Sequence, residues 1–109
     1  MASLVRNDEV LTELQIAESF GSRLLGLMGK KQFNGVLIIR PANSVHTLFM
    51  RFPIDVAFLD REMRVIAIAI MKPWRMGLPR RKARSILEAP QGTFAKWNLQ
   101  VGDAVEIQP

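Results

Sequence analysis

This sequence predicts a small, mainly β domain of the α+β type: a β-barrel or β-sandwich with two short helices. Three observations predict it. Short runs rich in Val, Ile and Leu are separated by turn residues at close spacing. Only two stretches carry a helical spacing, and both are brief. The strands do not alternate with long helices, which disfavours an α/β layout.

The elements follow in order. Val10–Ala17 reads as a first strand with Val10, Leu11 and Ile16 as its apolar contributors. Ser19 then has the hydroxyl of an N-cap. Phe20, Leu24, Leu27 and Met28 recur at helical spacing and Gly29 supplies the stop, which makes a first helix. Gly35–Arg40 holds a four-residue aliphatic strand, Val36-Leu37-Ile38-Ile39, closed by Pro41, and Val45–Met50 is the next. Pro53 interrupts the pairing because it has no N–H to donate. Ile54–Leu59 resumes it, and Asp60-Arg61-Glu62 is a turn. Arg64–Met71 is the most β-rich segment, apolar on both faces, so it is expected at the centre of the sheet. Lys72–Arg84 is a loop broken by two prolines and Gly77. Ser85–Glu88 is a strand. Pro90 opens a second helix at its first position, and that helix carries Phe94 and Trp97 and ends near Asn98. Ala104–Ile107 is the last strand.

Composition limits the functional classes. A chain of 109 residues fits one domain, residues 1–109. Without cysteine there is no disulfide, thiolate metal site or cysteine nucleophile, and one histidine disfavours an imidazole-rich zinc site. The expectation is therefore no metal and no cofactor. The N-terminus lacks the apolar core of a secretory signal, and Val65–Met71 is far short of the ~20 residues that span a bilayer. A soluble, cytoplasmic protein with no transmembrane segment is expected. Of the net charge of +5, six positive charges lie in one acid-free segment: Lys72, Arg75, Arg80, Arg81, Lys82 and Arg84. The rest of the chain sums to −1, so the basicity is local.

Ser44–Asp60 holds the candidate chemistry. His46 is the lone histidine; on an apolar strand it reads first as a structural imidazole and second as a base or ligand group. Asp55 is a carboxylate among apolar neighbours, so it needs hydrogen bonds or a route to the surface. Whether it meets His46 depends on strand register, since a one-residue slip or a bulge at Pro53 changes the face. Glu88 reads as a carboxylate complementing the dipole of the following helix, with a site carboxylate as the functional alternative. Arg23, on the polar side of the first helix, is placed to pair with Glu88 or Asp55. The ligand-binding candidates are therefore His46, Thr47, Asp55, Glu88 and Arg23. In the basic loop, Trp74 interleaved with Lys72, Arg75, Arg80, Arg81, Lys82 and Arg84 makes an anion-binding candidate. Such charge runs are more often solvated faces, so nucleic acid is the weaker expectation.

Arg23-Leu24-Leu25-Gly26-Leu27-Met28, His46 through Asp60, Leu87-Glu88-Ala89-Pro90-Gln91-Gly92-Thr93 and Val101-Gly102-Asp103, in that order, resemble the domain of unknown function family 192. The resemblance covers about residues 17–108. It implies a small sheet-rich domain with short helices and no established activity. In many members an aromatic residue stands where His46 stands here, which lowers the expectation that imidazole chemistry is essential. Asp55 matches the family's shared Pro-Ile-Asp step and becomes the first site candidate. Some members are exported behind a signal or lipid-attachment segment, and neither is seen here.

The first functional expectation is a binding or accessory module for a small ligand or a protein partner, with no catalytic residue assigned. The alternatives are a hydrolase or transferase using Asp55 and His46, and a binder of nucleic acid or an anionic surface through the Lys72–Arg84 loop.

Overall fold

The computed structural model describes residues 2–18, 35–47 and 52–109. They form seven strands: β1 (Ser3–Arg6), β2 (Glu9–Ala17), β3 (Val36–Ile39), β4 (Ile54–Leu59), β5 (Val65–Met71), β6 (Ser85–Pro90) and β7 (Glu106–Gln108). One helix among the described residues, α1 (Thr93–Trp97), follows β6. All seven strands join one mixed sheet in the order β5-β4-β6-β3-β2-β1-β7. The β2–β3 pair is parallel and the others are antiparallel.

The β-rich expectation holds, but a closed barrel and a two-sheet sandwich do not. Among the described residues the sheet ends in two edge strands, β5 and β7. Backbone bonds between residues 63–65 and 102–105 bring the start of β5 beside the turn before β7. Val65 N–H donates to the Asp103 carbonyl at 2.8 Å, and Gly102 N–H to the Val65 carbonyl at 2.8 Å. Those bonds curl the sheet without pairing its edge strands. Two short helices are not borne out either. The expected first helix, Ser19 to Gly29, lies outside the described residues.

Every residue of β3 and β4 is buried, and so are Ser85–Ala89 of β6. One face of these strands carries Ile38, Ala57, Leu59, Leu87 and Ala89 with Phe94 of α1. The other carries Leu37, Ile39, Ile54, Val56, Phe58 and Ile86 with Val45 and Ala83. Strands covered on both faces read as near-continuous apolar runs, as these do.

The expected centre of the sheet is its edge. Among the described strands β5 borders only β4, and Ile70 is 61% exposed. The most hydrophobic run is thus not the innermost strand. Hydrophobicity marks a preference for burial, whereas order in the sheet is fixed by which strands pair.

Three smaller corrections concern local chemistry. β1 was not expected; it forms a hairpin with β2 through Asn7 and Asp8, both at positive φ (51° and 66°). Asn and Asp tolerate that region and so allow the primed turn that matches strand twist. Of the expected strand Val45–Met50, residues 45–47 hold a single bridge, His46 with Met76, and residues 48–50 lie outside the described residues. Pro90 ends β6 instead of opening the helix, which is capped at Gly92 with φ 94°.

Candidate functional site

Paired residues on neighbouring strands point to the same face of a sheet. Asp55 pairs with Ala89 of β6, and Val56 pairs with Glu88. Asp55 and Glu88 are therefore on opposite faces, separated by the sheet itself.

Asp55 is buried, 4% exposed, and works on the α1 side. Its Oδ2 accepts from Gly92 N–H at 3.1 Å and Phe94 N–H at 3.0 Å. The helix has no capping side chain of its own, because Gly92 stands at the N-cap. A carboxylate from β4 supplies what a local Asp or Ser ordinarily would. This is the role that sequence reasoning gave to Glu88. No hydrogen bond joins Asp55 to His46 among the described residues.

Glu88 is 2% exposed and sits between Leu37 and Val56 on the opposite face. Burial pushes its carboxyl up from 4.5 to about 7. It makes no hydrogen bond among the described residues. Arg23, its suggested partner, lies outside them.

His46 and Thr47 belong to a different arrangement. Residues 42–47 run antiparallel to the segment after β5 and stitch it down. Ala42 N–H donates to the Arg84 carbonyl at 2.9 Å, Arg80 N–H to the Asn43 carbonyl at 2.8 Å, and Gly77 N–H to the Val45 carbonyl at 2.8 Å. Thr47 makes the densest set. Its N–H donates to the Arg75 carbonyl at 2.7 Å, and its carbonyl accepts from Trp74 N–H at 2.8 Å. Its fully buried Oγ1 donates to the Lys72 carbonyl at 2.6 Å and accepts from Arg75 N–H at 2.8 Å. Those bonds hold Trp74 at φ 62°, a region that aromatic residues seldom adopt. At Gly77 an added Cβ would lie 3.0 Å from the Val45 carbonyl oxygen, a tight approach that favours glycine. His46 lies opposite Met76, and its buried Nδ1 has no hydrogen-bond partner among the described residues.

Residues 72–84 thus form an irregular strap fastened along its length. Its six cations are all exposed. None takes part in an ion pair among the described residues. Arg80 lays its guanidinium 4.6 Å from the ring centre of Phe58, which orients the charge without neutralising it. Between the cations stand Trp74, Met76 and Leu78, which are 56%, 75% and 85% exposed. Sequence reasoning singled out Trp74 but missed Met76 and Leu78. The signal was there: Met-Gly-Leu-Pro places two large apolar side chains in a loop that offers no core to bury them.

Among the described residues, Asp55 and Glu88 lie on opposite faces of the sheet, and Arg23 lies outside the described residues. Two surface clefts, of about 450 Å³ by Ala2, Ile16, Arg40, Ile107 and Pro109 and about 260 Å³ by Pro41, Ala42, Asn43, Ala83 and Arg84, include none of the described ligand candidates. No group of three or more His, Asp or Glu among the described residues is arranged to hold a metal. Among the described residues no helix is long and apolar enough to cross a membrane.

Comparison with known proteins agrees with this framework. The profile of the DUF192 family, described as Uncharacterized ACR, matches residues 3–107. A UPF0127 protein of Pyrococcus furiosus is 36% identical over 111 residues, covering 97% of this chain and 96% of the relative. A UPF0127 protein of Pyrococcus horikoshii is 39% identical over 99 residues, covering 86% of each. The crystal structure of a protein of unknown function from Novosphingobium aromaticivorans shares the fold, with a TM-score of 0.79 at 21% identity. The match covers 96% of this chain and 82% of that one.

Proposed function

The chain belongs to the DUF192 family, and on that premise we propose that it is a binding module whose contact surface is the Lys72–Arg84 strap. Its partner is anionic. One observation carries the reading: an ordered strap, pinned by Thr47, displays six exposed cations with no ion-pair partner among the described residues. A fastened loop loses little conformational entropy when it binds, so its charges act at nearly full effect. Each cation held beside an anionic surface is worth about 1 kcal/mol, less at high salt.

The test is binding to heparin at increasing sodium chloride. Each neutralised anionic group releases a counterion, so the logarithm of affinity should fall steeply against that of salt. Replacing Arg81 and Lys82 with Gln should make the slope shallower by roughly 1.5 to 2. Affinity indifferent to salt would sink the proposal.

A second reading, a small-ligand site, draws on the buried carboxyl of Glu88 and the unpartnered Nδ1 of His46. Each is a buried polar group that a ligand's polar atom would satisfy. A thermal-shift screen in which hits disappear with Glu88→Gln would favour it over the strap. The hydrolase or transferase reading through Asp55 and His46 has less behind it, because Asp55 Oδ2 is already engaged by two backbone amides of α1.

A further inference from the structure

We propose, resting on the reading of the strap as an anion-facing surface, that its partner is an anionic lipid surface, with Trp74, Met76 and Leu78 entering the interfacial zone between headgroups contacted by the six cations. The argument turns on the apolar side chains. Three large ones stand exposed within five residues, with Lys72 and Arg75 beside them and Arg80, Arg81, Lys82 and Arg84 following. A polynucleotide would match the cations and could stack a base on Trp74. It offers Met76 and Leu78 only limited apolar surface, at thymine methyls or by wedging between base steps at the cost of unstacking them. The interfacial region of a bilayer accommodates all three. Met and Leu bury apolar surface there, and the amphipathic indole is suited to headgroup level. The same boundary puts lysine and arginine against anionic headgroups.

The fold supplies the presentation. Apolar side chains in a free loop would turn inward or cluster. Here the backbone bonds of Asn43, Val45 and Thr47 fasten residues 74–80 in place, with Trp74, Met76 and Leu78 exposed. Trp74 is locked at positive φ by its bond to the Thr47 carbonyl. The strap also leaves β5 on the side of Met71, which packs with Ile54 and Val56, so its inner side is anchored in the core while its tips remain outside.

The experiment is co-sedimentation of the full chain with three targets: phosphatidylcholine vesicles, phosphatidylcholine vesicles with about 30% phosphatidylglycerol, and heparin immobilised on agarose beads as the lipid-free polyanion. The chain should bind the anionic vesicles and not the neutral ones. Met76→Ser combined with Leu78→Ser removes exposed side chains only, so the fold should persist, checked by circular dichroism. That double variant should lose about 100-fold in affinity for anionic vesicles, from about tenfold per buried side chain, and keep its heparin affinity. Arg81→Gln with Lys82→Gln should lose roughly 25-fold, about fivefold per charge, on the same vesicles. Wild-type affinity of the Met76/Leu78 variant for anionic vesicles would overturn insertion. Binding of the wild type to heparin but not to vesicles would overturn the lipid proposal and leave the anionic strap standing. Failure to bind any of them would overturn both.

Discussion

Glu88 makes the sharpest claim about energetics. Its carboxyl is buried within the sheet and raised from 4.5 to about 7 by that burial. The folded state therefore holds a proton that the unfolded chain has released between those two values. By linkage, stability falls as pH rises through that window, because the folded protein must then ionise a carboxyl out of reach of water. The full gap is worth about 3 kcal/mol at about 1.36 kcal/mol per pKa unit. At 2% exposure, solvent screening takes little away. Most of the loss, about 2.5 kcal/mol, should occur between roughly pH 5 and pH 8. Glu88→Gln keeps the shape and removes the titration. Its unpaired amide shifts stability by an amount that does not depend on pH, so the informative quantity is how the difference from wild type changes. Urea denaturation of both proteins across that range should show the variant gaining about 2.5 kcal/mol relative to wild type. At a slope of about 1 to 1.5 kcal/mol per M urea, that is about 2 M in midpoint. Other titrating groups are common to both chains and cancel. Midpoints that move in parallel from pH 5 to pH 8 would refute the reasoning.

Other outcomes follow from the bonds that place the strap and the helix. Asp55→Ala leaves the Gly92 and Phe94 amides without an acceptor and should destabilise by about 3 kcal/mol in urea denaturation, with Asp55→Asn costing less. A variant as stable as wild type would mean that α1 does not depend on β4 for its cap. Thr47→Val keeps the buried volume but strands the Arg75 N–H and the Lys72 carbonyl, at about 1 to 3 kcal/mol. It should also speed tryptic cleavage after Arg75, Arg80 and Arg81, measured by mass spectrometry, whereas Thr47→Ser should behave as wild type. Gly77→Ala pushes a Cβ against the Val45 carbonyl at 3.0 Å and should cost about 1 kcal/mol or more in thermal unfolding; an unchanged melting temperature would show that the strap can shift away.

How much of this was legible in the residues depends on whether the cause was local. The strands β2, β3, β4 and β6 were visible because Val, Ile and Leu runs between turn residues leave few alternatives. The end of α1 at Asn98 and the turn at Asp60 were visible for the same reason. The Asp60 turn is closed by its own side chain, whose Oδ1 accepts from Glu62 N–H at 2.9 Å and Arg64 N–H at 3.0 Å. The six charges of the 72–84 segment were equally plain, since counting needs no fold.

What the sequence by itself determined is a set of segments: which stretches extend, where they break, and where positive charge collects. Only the tertiary structure decided which segments adjoin. Among the described strands, pairing with β4 alone put the most apolar one, β5, at an edge. The inner strands β4 and β6 are the ones that carry buried carboxylates. Register then sent Asp55 to one face, where it caps a helix 37 residues away in sequence, and Glu88 to the other, where it meets no such donor among the described residues. The physical reason is that a side chain's role depends on its neighbours across the sheet, and a shift of one residue in pairing reverses the face of every one of them.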